Sequence, residues 1–121
     1  MSNEFKEEIE ALETLKGYNV KIVKALQEII PELKGDKKED TEEYFQHILK
    51  GINWEIQVIN GTMRYINRNK EIISKEKVND SILKLNEAIN SKNNNVVAEV
   101  VEKELLPFLA GLNLNIEEAT A

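Results

Sequence analysis

The sequence predicts an all-α protein, folded as an antiparallel four-helix bundle with two long and two shorter helices. Three observations support this prediction. Apolar residues recur at three- and four-residue steps, no segment alternates apolar and polar residues, and only 5 glycines and 2 prolines interrupt 121 residues. Short polar connections between the amphipathic segments favour neighbouring helices that run in opposite directions. We expect residues 1–121 to form one domain, because a chain of this length can bury a single core.

The first helix is expected to begin after Ser2 or Asn3, either of which can cap it. Its apolar residues keep helical spacing throughout. Pro31 cannot donate a backbone hydrogen bond and disfavours helical geometry at the residue before it, so we expect the helix to end or kink there. The polar, glycine-containing stretch 34–40 is expected to be a loop.

The second helix is expected to run from Asp40 or Thr41 to about Asn67, with Glu43 placed to complete a capping box. Its core-facing seam combines two rows of apolar residues that lie about 40° apart around the helix. These rows are Phe45, Ile52, Ile59 and Ile66, and Leu49, Ile56 and Met63. Residues 67–74 are polar but contain no glycine or proline, so the sequence leaves open whether they turn or continue the helix.

The last two helices are expected to be shorter, at about 16 to 18 residues. The third buries Val78, Ile82, Leu85 and Ile89, and a run of three asparagines at 93–95 predicts a turn and a cap. The fourth is expected to bend at Pro107 and to end near Gly111, so that residues 113–121 fray. Its inner face is expected to carry Val97, Val101, Leu105, Phe108 and Leu112.

The side of the second helix opposite its seam is the main candidate for a binding surface. A solvated face normally carries Lys and Glu, whereas this one carries aromatic residues and glycines. The candidate partner-binding residues, here called the aromatic strip, are Tyr44, His47, Gly51, Trp54, Val58, Gly61 and Tyr65. Trp and Tyr are common interface anchors, and glycine lets a partner backbone approach closely. Three alternatives stay open: coverage by the fourth helix or the tail, self-association, and a groove for another protein.

Amide side chains recur every seven residues beside the seam. They are Gln46, Asn53, Asn60 and Asn67 on the second helix and Asn79 and Asn86 on the third. Such a ladder can set the register of a partner helix, as buried Asn does in coiled coils. Because Asn is abundant throughout this chain, we favour the simpler interpretation that these are ordinary flank positions.

Composition and charge argue against several classes of function. The chain has no Cys, which removes disulfides, thiolate zinc sites and cysteine nucleophiles and suits a reducing compartment such as the cytoplasm. No stretch approaches about 18 consecutive apolar residues, so we expect no membrane span. A net charge of −6 disfavours nucleic-acid binding, which needs clustered cations; the small cluster Arg64, Arg68 and Lys70 is the one alternative.

The chemistry of an enzyme or a metal site is not predicted. His47 is the sole histidine, and Glu43 lies one turn before it. Such a pair can act as a tuned base, but a surface ion pair is the simpler interpretation. Di-iron bundles need Glu-x-x-His twice, and no phosphate or dinucleotide motif is present. We therefore expect no catalysis, metal or cofactor, and keep a ligand-binding or catalytic bundle of His47, Glu43 and Tyr44 as the alternative.

Residues 93–109 lead from a polar turn into an apolar helix that contains Glu102, Glu104, Leu105, Pro107 and Leu109. This helix resembles a pattern of small uncharacterised bacterial proteins that ends Glu-x-Glu-Leu-x-Pro-x-Leu. The resemblance implies a short helical bundle. At the level of fold alone, the chain's size, acidity and helical make-up also resemble secretion and flagellar export chaperones. That likeness implies an apolar groove that shelters a partner's helix.

The function expected from the sequence is therefore protein binding. We expect a small cytoplasmic helical bundle that acts as an adaptor or a chaperone-like module and forms a homodimer. Its partner would be a protein or a second copy of the chain, with no nucleic acid and no membrane involved.

Overall fold

The computed structural model describes residues 4–121, which form five α-helices and one π-helical turn and contain no strand. The helices are α1 (Lys6–Lys34), α2 (Thr41–Ile66), α3 (Lys75–Asn90), α4 (Asn94–Val100) and α5 (Leu106–Thr120). The π-helical turn Val101–Leu105 joins α4 to α5 without a break, so these three pieces form one fourth helical segment. The all-α bundle predicted from the sequence is confirmed. The cap expected at Ser2 or Asn3 lies outside the described residues.

Helix α1 is the centre of the bundle, because it packs against both α2 and the fourth helical segment. Its first residues meet the end of α2, where the rings of Phe5 and Tyr65 lie 5.1 Å apart. Its last turns meet the start of α2, where the Thr41 hydroxyl donates to Glu32 at 2.7 Å. The two helices are therefore antiparallel. Helix α3 packs mainly against α4.

Helix α1 does not end at Pro31, one of the two outcomes expected there, because it continues through the proline to Lys34. Ile30 and Leu33 are buried on either side of Pro31, so core packing holds the last turn in helical geometry. The helix stops at Gly35, which has a φ of +149° and donates its N–H to the Pro31 carbonyl. Glycine tolerates this backbone conformation at no steric cost.

The connection between α2 and α3, which the sequence left open, is a turn organised by one side chain. The Asn67 side-chain oxygen accepts hydrogen bonds from the backbone N–H groups of Ile72 and Ile73 at 2.8 and 3.0 Å. The Asn67 amide nitrogen donates to the Ile73 carbonyl at 2.8 Å. Ser74 then caps α3 by accepting from the Lys77 N–H. Asn67 thus has a structural role in this turn.

The fourth helical segment begins as predicted, since the Asn93 side chain accepts from the first N–H groups of α4. Where a bend was expected at Pro107, a π-helical turn directly precedes the proline, and in it the Leu106 N–H donates to the Val101 carbonyl. Beyond this turn Leu109, and not Phe108, is the fully buried residue.

The expected end at Gly111 and the frayed tail 113–121 are corrected by the structure, in which α5 runs to Thr120. Ile116 and Ala119 are buried, and these contacts hold the final turns in the bundle. The fourth helical segment is therefore long, and only α3 is short. This leaves part of α2 without a closely packed neighbour on the α3 side.

Candidate functional site

The aromatic strip faces α1, which covers most of it. Tyr65 is only 4% exposed and packs on Phe5, while Trp54 is 38% exposed and meets the Tyr18 ring edge-on at 5.2 Å. Val58 is half-buried beside Ala11 of α1. Part of the strip is thus covered within the chain, by α1 and not by the fourth helix or the tail, whereas His47, Trp54 and Gly61 stay exposed.

The two glycines of the strip differ in their surroundings. A Cβ atom at Gly51 would collide with the Tyr18 hydroxyl and would come within 2.7 Å of Ile22 Cδ1. At Gly61 a Cβ atom would meet nothing within 4 Å among the described residues. Gly51 thus leaves room for the Tyr18 and Ile22 side chains of α1, whereas the sequence suggested the backbone of a partner.

The candidate catalytic group lies on an open face of α2. The His47 side chain is 67% exposed, and its Nε2 is 3.9 Å from Glu43 Oε1. Tyr44 is half-buried against α1, where burial, then the nearby Glu28 and Glu32 carboxylates, raise the pKa of its phenol. Within residues 4–121 no three His, Asp or Glu side chains come together in a way that could hold a metal ion.

The residues of the small basic cluster are engaged within the chain. The Arg64 guanidinium lies 5.7 Å from the centre of the Phe5 ring. The Arg68 guanidinium stacks 4.0 Å from the Tyr65 ring centre and donates to the Ala119 carbonyl at 2.8 Å. Lys70 pairs with a carboxylate of α5. These contacts connect the last turn of α2 and the residues that follow it to Phe5 and to α5.

A groove of about 150 Å³ opens between α2 and α3 on the flank of α2 that faces away from α1. It exists because these two helices are not one of the closely packed pairs of the bundle. Its lining combines six aliphatic residues with two asparagines: Leu49, Ile52, Asn53, Ile56, Ile82, Leu85, Asn86 and Ile89. This groove is the most apolar concave surface that we describe.

No Lys, Arg, Asp or Glu of the described chain lines this groove, although 31% of all residues are charged. Helical spacing places further uncharged residues next to this lining on both helices, and it places Lys50 beside Asn53 in the same way. The added residues are Gln46, Asn60 and Met63 on α2 and Asn79, Leu83 and Asn90 on α3. We call this whole surface the α2–α3 face. Of the heptad amides, Asn53 and Asn86 line its groove, whereas no residue of the aromatic strip does.

Two larger depressions are lined by charged as well as apolar residues. One, of about 460 Å³, lies beside the start of α3 and includes Lys77, Asp80 and Glu104. The other, of about 540 Å³, includes Lys6, Glu10 and other residues near the start of α1. Their mixed charge is ordinary for a solvated protein surface. The α2–α3 face differs from both because its lining is uncharged.

Sequence reasoning missed one buried ionisable residue, Glu55. It is fully buried in α2, between Ile52 and Ile59, and neither of its oxygens finds a hydrogen-bond partner among residues 4–121. Burial raises the pKa of its carboxyl to about 8. The signal was present in the sequence, because Ile48, Glu55 and Thr62 form a row beside Ile52 and Ile59. The buried row is this one and not Leu49, Ile56 and Met63, which are half-buried.

Comparison with known proteins gives one family. A family model described as a domain of unknown function (DUF8042) matches residues 10–114. No curated protein and no solved structure matches the chain. None of the helices within the described residues has the combination of length and hydropathy that a bilayer-crossing segment requires.

Proposed function

The chain belongs to the family described as a domain of unknown function (DUF8042), and for this member we propose a protein-binding role, adaptor or chaperone-like, exerted through the α2–α3 face. The observation that supports this proposal is the groove between α2 and α3, whose eight lining residues include no charged side chain. Depletion of charged residues is the compositional feature that separates the core of an interface from ordinary surface. The occupant that fits such a groove is an amphipathic helix with apolar residues at three- and four-residue steps.

The proposal uses a different side of α2 from the one that the sequence favoured. Gly51 and Tyr65 of the aromatic strip are buried against α1, so they would contact a partner only if the α1–α2 hairpin opened. The α2–α3 face needs no such opening. Leu49 and Ile56 are half-buried in its groove. Leu83, which follows the groove residue Ile82 on α3, is 58% exposed. A partner that covered these side chains would remove apolar surface from water. This removal favours binding by a free energy of about 25 cal/mol for each Å² of apolar surface.

Site-specific photo-crosslinking in living cells tests the proposal. A photoreactive amino acid replaces Leu83 in one variant and Leu114 in another. Leu114 is the matched control because it is a more exposed leucine, at 70%, on α5 and away from the groove. If simple exposure of a leucine governed labelling, the variant at position 114 would label at least as strongly.

We expect a discrete adduct from position 83 and none of comparable yield from position 114. The mass of the adduct identifies the occupant, since a second copy doubles the mass of the chain. Equal labelling at both positions, or no adduct from position 83, would remove the α2–α3 face as a docking surface.

A further inference from the structure

Asn60 and Gly61 form the only Asn-Gly pair in the sequence, and both residues are exposed on α2. We propose that Asn60 is a latent modification site, at which the side-chain amide is converted to a carboxylate when the second half of α2 opens. The reaction uses the chain's own backbone and water. It does not depend on the proposed function of the α2–α3 face.

The conversion begins at the backbone nitrogen of Gly61. This nitrogen gives up its proton and attacks the side-chain carbonyl carbon of Asn60, so that a new C–N bond closes a cyclic imide. The former amide nitrogen takes up a proton and leaves as ammonia. Water then opens the imide at one of its two carbonyl carbons. Opening at the side-chain carbonyl gives aspartate, whereas opening at the backbone carbonyl gives isoaspartate, in which the main chain runs through the former side chain.

Gly61 is the residue that makes Asn60 reactive. Every other asparagine of the chain is followed by a residue with a side chain. A Cβ atom on the following residue crowds the attacking nitrogen and restricts its backbone, whereas glycine does neither. A Cβ atom placed at Gly61 would meet nothing within 4 Å among the described residues. An alanine at this position would therefore change the chemistry without disturbing the packing.

The closed helix prevents the attack. Asn60 and Gly61 lie inside α2, which continues to Ile66. In an α-helix the N–H of Gly61 bonds to the carbonyl four residues earlier, and the ψ angle of Asn60 is about −42°. Ring closure needs a different ψ angle and a free Gly61 nitrogen. The reaction therefore proceeds from a locally opened form of α2.

The buried side of α2 sets how often this opening occurs. Tyr65 and Ile66, in the last turn, are only 4% and 1% exposed. The Tyr65 ring packs against Phe5 of α1, with 5.1 Å between the ring centres. Helix opening and closing is fast compared with imide formation, so the rate of conversion follows the population of the open form. Contacts such as that of Phe5 with Tyr65 thus govern the reactivity of Asn60.

Both products alter α2 permanently. An aspartate adds a negative charge one turn after Ile56, which lines the groove between α2 and α3. An isoaspartate adds one carbon to the main chain, which breaks the regular spacing of the helical hydrogen bonds. The turns from Asn60 to Ile66 then cannot re-form as before. The site thereby converts a transient opening of the helix into a lasting one.

Timed incubation of the purified full chain at neutral pH, followed by tryptic peptide mapping with mass spectrometry, measures the conversion. Peptide 51–64 contains Asn60 together with Asn53, which precedes Trp54 and is the internal control. Conversion raises the mass by about 1 Da, and an isoaspartyl methyltransferase labels the isoaspartate. We expect conversion at Asn60 and not at Asn53. We expect it to be at least about tenfold slower in the folded chain than in urea, because the open form is rare.

Three variants separate the chemistry from the opening. Gly61→Ala is expected to slow conversion at least about tenfold, both in the folded chain and in urea. Phe5→Ala removes the ring that packs on Tyr65, so it is expected to speed conversion severalfold in the folded chain and to leave the rate in urea unchanged. Val20→Ala, at a 62% exposed position of α1, is the matched control and is expected to change neither rate.

The site itself is refuted if Asn60 and Asn53 convert equally in urea, or if Gly61→Ala converts as fast as the wild-type chain. Equal rates for the folded and the urea-unfolded wild type would refute control by α2. Undetectable conversion in both the folded wild type and folded Phe5→Ala would show that the folded chain never exposes Asn60 to the reaction.

Discussion

Glu55 places an ionisable group in the core with no hydrogen-bond partner among the described residues. Burial raises the pKa of its carboxyl from 4.5 to about 8. The folded state therefore binds one proton more than the unfolded state between these two pH values. The free energy of unfolding must fall as the pH rises through this window, because the unfolded chain gains stability by releasing the proton. Below pH 4.5 the penalty vanishes.

We expect Glu55→Gln to be more stable than the wild-type chain at pH 7, by roughly 3 kcal/mol if the full pKa shift acts. Glutamine has the shape of the protonated acid but cannot ionise. Chemical denaturation of both chains at several pH values between 4 and 8 measures the difference. Glu13→Gln, at an exposed position of α1, is the control for the loss of one carboxylate. Parallel stability profiles for Glu55→Gln and wild type would contradict the assigned burial.

At the scale of elements, the α1–α2 hairpin depends on the missing side chain of Gly51. We expect Gly51→Ala to lose about 1 to 3 kcal/mol of unfolding free energy, because its Cβ atom would overlap Tyr18 and Ile22. Gly61→Ala on the same helix has open space and is expected to gain up to about 1 kcal/mol from helix propensity. Urea unfolding of both variants measures the two changes. A stabilised Gly51→Ala variant would show that the Tyr18 and Ile22 side chains move away without cost.

The elements themselves were largely predictable. The bounds of α2 and α3 follow the apolar spacing, and the cap at Asn93 follows from its residue type. The predicted helix ends were wrong where tertiary packing overrides the local preference of a residue. Pro31 and Gly111 both lie inside helices, because buried neighbours on each side compensate for their poor helix propensity.

At the scale of the whole molecule, the last turns of α5 belong to the core. We expect Ile116→Ala to lower the free energy of unfolding by about 3 kcal/mol, since the fully buried side chain would leave a cavity. Leu114→Ala, two residues earlier but 70% exposed, is expected to change it by less than about 0.5 kcal/mol. Thermal or urea unfolding distinguishes the two. Similar small effects in both variants would indicate a loose C-terminus.

The candidate site was predictable only in part, for a reason that concerns the whole bundle. The spacing of residues on α2 shows which side chains share a face, but not which neighbouring helix covers that face. The aromatic strip was predicted to bind a partner, whereas α1 packs on part of it and leaves Trp54 38% exposed. The groove depends on how far α3 stands from α2, and helical spacing within either sequence segment carries no information on that distance.

The π-helical turn has a consequence for how the whole length of the fourth helical segment can face α1. The buried residues Val97, Val101, Leu105 and Leu109 follow one another at three successive four-residue steps. In a regular α-helix each such step advances about 40° too far, so the three together would carry Leu109 about 120° away from the side on which Val97 lies. The wider π turn absorbs this angular drift. The extra residue of the π-helical turn thereby lets the buried side chains on both halves of the fourth helical segment face α1.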